Sequence, residues 1–243
     1  MCLSHQAQCL HAAFREFNPL KIFKNWEDMQ FNSIQSAESI LTVFNTLGIF
    51  AFAISGAAAG IRKHADLFGI GVLAFAASCC GGILRDIIIG ALPPENILSM
   101  QPIITALVAA AVTVLFYPRL AVRFSNPVLA FDAFGLGLFT VIGAEKALLY
   151  GIGPLWAVLL GMLTAVGGGM VRDILLSHVP QVLRTELYAT ASIAGGSIAV
   201  AGHVWPVIPT FYTMALGAVV CIVLRCLALK YNWKVPVPRI TRI

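Results

Sequence analysis

Two short runs carry glycine, arginine and aspartate in the same order: Gly81-Gly82-Ile83-Leu84-Arg85-Asp86, and Gly168-Gly169-Met170-Val171-Arg172-Asp173 preceded by Gly167. Both lie inside long apolar stretches, so each brings a cation and an anion where lipid would be the default surrounding. A charge at the centre of a bilayer costs about 2.5–3.5 kcal/mol by insertion scales, so these side chains should face protein or water rather than lipid. Consecutive glycines weaken a helix by up to about 1 kcal/mol each relative to alanine. Such runs predict a kink or an unwound turn, and carbonyls freed there need a partner that a hydrated cation path supplies. Neighbouring helical residues diverge by about 100°. The expected pairing is therefore crosswise, Arg85 with Asp173 and Arg172 with Asp86. Two roles fit these pairs, locking parts of the molecule together or lining an ion path.

Other polar residues sit in the apolar stretches. Asp132 lies near the start of the fourth, and an acid there would attract and hydrate a cation. Glu145 and Lys146 close the same stretch, where they are expected at the membrane interface with the lysine extending to water. Anchoring and gating both fit that pair. Arg225 in the last stretch is expected to reach the cytoplasmic surface in the same way.

The elements that must position these residues follow from composition. Of 243 residues, 59% are hydrophobic and 11% charged, against about 25% charged in a soluble domain. Apolar runs of about 20 residues match the hydrocarbon thickness. Seven spans are predicted near 39–60, 67–90, 101–117, 127–149, 154–177, 187–204 and 207–229, with turn signals such as Pro93-Pro94, Pro118-Arg119 and Gly151-Ile152-Gly153-Pro154 between them. Strand-like alternation is absent, which leaves an all-α integral membrane fold.

The formal charge of +5 comes without a basic cluster interleaved with aromatics, which argues against nucleic acid. Lysine and arginine gather instead at Arg62/Lys63, Arg119/Arg123, Arg184 and the C-terminal tail, so the C-terminus is expected inside and the N-terminus outside. Six cysteines show no CxxC spacing, and His64, His178 and His203 have no ligand spacing. No metal site and no cofactor is expected. The glycine runs lack the Lys-Ser/Thr of a nucleotide loop, and no nucleophile–base pairing stands out, so an enzyme is not expected.

Shifting the chain by 87 residues, the step from Arg85 to Arg172, superposes Asn45, Gly48, Phe52 and Gly56 on Asp132, Gly135, Phe139 and Gly143. Asn45 is thus the amide counterpart of the Asp132 carboxylate. In the same register Gly81-Gly82 and Arg85-Asp86 fall on Gly168-Gly169 and Arg172-Asp173, and Pro93 falls on Pro180. Three spans per copy is an odd number, so the second copy should enter the membrane from the opposite side, as in many transport proteins. The expected organisation is an extension at 1–37, a first three-helix repeat at 38–125, a second at 126–206, and a seventh helix with a basic tail at 207–243. Leu10 to Trp26 fits an interfacial amphipathic helix, and a floppy or wrongly assigned extension fits the same stretch. For Gly48, Phe52 and Gly56, at four-residue spacing, close helix packing is the favoured reading.

The duplicated pattern, together with Phe52-Ala53-Ile54-Ser55-Gly56-Ala57, Asp66-Leu67-Phe68-Gly69 and Gly143-Ala144-Glu145-Lys146-Ala147, resembles the prokaryotic trimeric intracellular cation (TRIC) channel family, whose bacterial members also carry a glycine transporter label. The resemblance covers roughly residues 39–229. It implies a homotrimer embedded in membrane lipid, with a potassium- and sodium-permeable pore in each protomer lined by kinked second and fifth helices. Two departures stand out: Cys80 replaces the first glycine of the first triplet, and Asn45 stands where an acid is common. The expected function is a monovalent-cation channel. The alternatives are a secondary transporter for glycine or a similar small zwitterion, and a membrane scaffold without a permeant.

Overall fold

Apolar runs bounded by turn residues fold here as helices, and among the described residues there is no strand. The computed structural model describes the backbone of residues 19–183, 187–205 and 208–231, and the side chains of Ser39 and of residues from Leu41 onward within those stretches. The chain divides into two units, Met1–Ile40 and Leu41–Ile243. The amphipathic helix expected within the extension concerns side chains outside the described residues, as do Arg184 and the basic tail.

Among the described residues, seven helices are long and apolar enough to cross a bilayer: α1 (Pro19–Arg62, of which Leu41–Arg62 is the span), α2 (Leu67–Ile89), α3 (Gln101–Arg123), α4 (Pro127–Leu149), α5 (Pro154–Leu175), α6 (Leu187–Val204) and α7 (Thr210–Lys230). Asp66 caps α2 by accepting the Gly69 N–H at 2.7 Å, and Pro127 and Pro154 start α4 and α5 at positions where the missing N–H costs nothing. One expected boundary was misplaced. Pro118 lies inside α3 rather than ending it, because losing one backbone bond does not stop a helix whose next residues, Arg119-Leu120-Ala121, are strong helix formers.

The repeat register is written into the backbone. After α2, Gly90 takes φ 76° while the N–H of Ala91 bonds the Asp86 carbonyl. After α5, Ser177 takes φ 55° while the N–H of His178 bonds the Asp173 carbonyl. These are two copies of one helix-ending turn. His64 and Gly151 form a second such pair, each at positive φ, followed by Ala65→Gly60 and Ile152→Ala147 bonds.

The contacts between copies are reciprocal. A Cβ at Gly48 would meet the Phe139 ring, and one at Gly135 would meet Phe52; the two rings stack at 5.4 Å. Likewise a Cβ at Gly81 would strike the Thr164 carbonyl, and one at Gly168 the Ala77 carbonyl. The glycines therefore let the backbones of α2 and α5 touch. Of the two shapes expected at these runs, an unwound turn is not found, since α2 and α5 are assigned as helix without a break through them. Close approach, rather than a freed carbonyl, explains the side-chain-free positions.

Gly168→Ala is expected to lower the thermal midpoint of the purified protein by several degrees, since backbone cannot yield to the new methyl. The control, Gly71→Ala, places its Cβ 3.6 Å from Leu107 in ordinary contact and should leave the midpoint in place.

Candidate functional site

Two buried ionic clusters are built on the duplicated motif. In the second half, Arg172 is 1% exposed. Its Nε and Nη2 donate to Asp173 Oδ1 at 2.9 and 2.8 Å, and its Nη1 to Asp132 Oδ1 at 2.8 Å and Ser55 Oγ at 2.6 Å. Asp173 Oδ2 accepts the N–H of Gln181, the first residue of a short 3-10 turn (Gln181–Leu183). Tyr188 lies beside this group with the Arg225 guanidinium 4.5 Å from its ring centre, and Arg225 donates to Gln181 Oε1 at 3.0 Å. Gly169 leaves a notch here: a Cβ would sit 2.9 Å from the Tyr188 hydroxyl and 3.2 Å from Asp132 Oδ1.

In the first half, Arg85 donates to Asp86 Oδ1 through Nε at 2.9 Å and Nη2 at 2.8 Å. Asp86 Oδ2 accepts the N–H of Glu95, which opens a one-turn helix (Glu95–Leu98). Lys146 Nζ donates to Asp86 Oδ2 at 3.2 Å and to Glu95 Oε2 at 2.7 Å. Asn96 donates its amide to the Cys79 carbonyl at 3.2 Å, with Nδ2 2.8 Å from where a Gly82 Cβ would be.

Each cluster is balanced in charge, Arg172 and Arg225 against Asp132 and Asp173, Arg85 and Lys146 against Asp86 and Glu95. In a medium that cannot solvate an excess ion, balance is the condition for burial. Some acceptor capacity is left over. Asp132 Oδ2, Glu145 Oε2 and the Tyr188 hydroxyl are buried without a protein partner. Beyond Asp173, a cavity of about 420 Å³ opens between Arg62, Lys63, Asn126, Arg172, His178 and Gln181.

The model of the glycine transporter family matches residues 42–118 and again residues 129–204. The chain belongs to that family. One model matching twice along the chain restates the duplication. A UPF0126 membrane protein of Deinococcus radiodurans is 41% identical over 199 residues, covering 80% of this chain and 90% of that one. The inner membrane protein YadS of Escherichia coli is 35% identical over 192 residues, covering 78% and 92%. Among solved structures, the TRIC trimeric intracellular cation channel orthologue of Rhodobacter sphaeroides superposes with a TM-score of 0.75 at 30% identity, over 80% of this chain and all of that one. With these relatives, this family member is an all-α membrane channel or carrier and not an enzyme.

Several expected partners are corrected by the geometry. The arginines pair with their own neighbouring aspartates and not crosswise, because a guanidinium on a flexible arm doubles back across the divergence of two Cβ vectors. Lys146 does not extend freely into water; its side chain is 13% exposed and held by Asp86 and Glu95. Glu145 is buried against His203, 2.9 Å from Nδ1. Arg225 is 1% exposed and turns inward onto Tyr188 instead of reaching the surface. Asp132 does meet the motif, through Arg172, whereas Asn45 is half-buried and has no such role. Ser55, Tyr188, Glu95 and Asn96 were not expected as site residues in this family member. Only Ser55 carried a signal, standing inside a family-like run; Tyr188 and Asn96 reach the glycine notches through folding alone.

Asp132→Asn keeps the shape but removes one of the two counter-charges of Arg172. Breaking a buried pair costs about 3–5 kcal/mol, while Ser55→Ala, which deletes one hydrogen bond to the same guanidinium, should cost about 1.5–3 kcal/mol. Thermal unfolding in detergent of both variants checks the ranking.

Proposed function

We propose that this protein is a monovalent-cation channel, passing potassium and sodium along a path within each protomer. The observation that carries the reading is Asp132: a carboxylate buried beside the Gly169 notch, with one oxygen held by Arg172 and the other unpartnered. A partly dehydrated cation, or a water it carries, coordinates such an oxygen while the other oxygen stays on Arg172. Gly82 and Gly169 open notches beside that path, while Gly81, Gly167 and Gly168 let α2 and α5 close against each other along it. The Arg85-Asp86 and Arg172-Asp173 clamps hold its walls, and Asn45 and Glu145–Lys146 flank it. The likeness to TRIC channels supports the same reading.

In this reading the two three-helix repeats lie in opposite orientations across the plasma membrane. Support comes from their reciprocal contacts and from the odd number of spans in each. Arg62, Lys63, Arg119, Arg123 and Lys230 then share the cytoplasmic side with the C-terminus, and the N-terminus is outside. The assembly in this reading is a homotrimer, in line with the trimeric channel type of the R. sphaeroides orthologue. Exposed Ile104, Leu107, Val108, Leu115 and Phe116 on α3 face lipid or a neighbouring protomer.

The second reading, a carrier for glycine or a similar zwitterion, is favoured by the family's name and by the paired charges, which suit a carboxylate and an ammonium. Purified protein in a planar bilayer under a potassium gradient separates the two. Stepwise single-channel currents, lowered in Asp132→Ala, are the expected result. Silence, with saturable uptake of labelled glycine into liposomes, would replace the channel by the carrier, and unchanged conductance in Asp132→Ala would remove that residue from the path.

A further inference from the structure

The two glycine notches are alike in backbone but not in what fills them. At Gly169 the filler is the Tyr188 hydroxyl with Asp132 Oδ1, and both groups belong to spanning helices. At Gly82 the filler is the Asn96 amide, which belongs to the one-turn helix Glu95–Leu98 in the connection between α2 and α3. Asn96 is 4% exposed although its neighbours Glu95 and Ile97 are 58% and 61% exposed, so this one side chain is pushed inward from a surface segment.

Three bonds hold the segment in place besides that of Asn96 to the Cys79 carbonyl. The Asp86 carboxylate accepts the Glu95 N–H, and Lys146 of α4 bridges Asp86 and Glu95. Glu95 Oε2 to Lys146 is the shorter bond at 2.7 Å and the more exposed, open to competition by water and salt. In the second half the position corresponding to Asn96 is Leu183, 71% exposed, so the repeat itself does not require an inward side chain here.

We infer that Asn96 is a removable plug in the Gly82 notch, and that the Glu95–Lys146 ion pair is the latch that keeps it seated. The inference rests on the conduction reading above and adds a blocking residue to it. With the amide in place the notch is filled and the Cys79 carbonyl is engaged. When the turn swings out, the notch and that carbonyl oxygen become available to a cation. Glu95 and Lys146 are thus positioning residues acting through Asn96.

The test is single-channel recording in symmetric potassium chloride with wild type, Asn96→Ala and Glu95→Gln, alongside hydrogen exchange of residues 79–98 in detergent. Asn96→Ala, which removes the plug, should raise open probability several-fold. Glu95→Gln, at a side chain open to water, should do so partly and should speed exchange of the 95–98 amides. Wild-type currents that neither variant raises would overturn the plug and leave conduction standing. A silent wild type would overturn the conduction reading and the plug with it. Should Asn96→Ala fail to fold, Glu95→Gln decides by itself, and unchanged exchange at 95–98 together with unchanged gating sinks the latch.

Discussion

A charge carried into a low-dielectric interior must bring its counter-charge on the same short stretch of chain or find it on a neighbour that cannot move away. Each arginine of the duplicated motif meets this condition twice over. Its adjacent aspartate neutralises it through Oδ1, and the other oxygen of that aspartate holds the first N–H of the turn that follows. A single carboxylate thus ties helix end, arginine and connecting segment into one unit. The later elements hang on it: the Glu95–Leu98 turn on one side, Gln181 and through it Arg225 on the other.

The clamps explain why the glycines matter. With the arginines anchored on their own helices, α2 and α5 need no ionic bridge between them and meet instead by bare backbone, Gly81 at Thr164 and Gly168 at Ala77. Small residues at such a crossing maximise dispersion contact where the hydrophobic effect between helices is weak. The stacked Phe52 and Phe139 rings repeat the arrangement between α1 and α4, each ring seated over a glycine of the other copy.

Much of this architecture was legible in the residues. Span limits at Pro127–Leu149 and Leu187–Val204 coincide with the apolar runs, because a run long enough to cross the hydrocarbon forms a spanning helix. The 87-residue register was legible because its marks are glycines and prolines, whose backbone consequences are local. Partner choice was not. Whether Arg172 meets Asp173 or Asp86 depends on the reach of a flexible side chain, and its bond to Ser55 spans 117 positions that no spacing rule connects. Arg225 read as a surface residue because nothing nearby in sequence marks Tyr188 and Gln181 as its partners. Asn96 was invisible for the same reason, a polar residue in a loop being the ordinary case.

The unlike fillers of the two notches bear on the electrical behaviour of the molecule. A cation threading both would meet an amide and a lysine near one of them, and a phenol and a carboxylate near the other. The backbone repeats itself while the polar groups that fill its notches do not. On the path proposed above, equal voltages of opposite sign would then drive unequal flows through a scaffold whose main chain is nearly indifferent to direction.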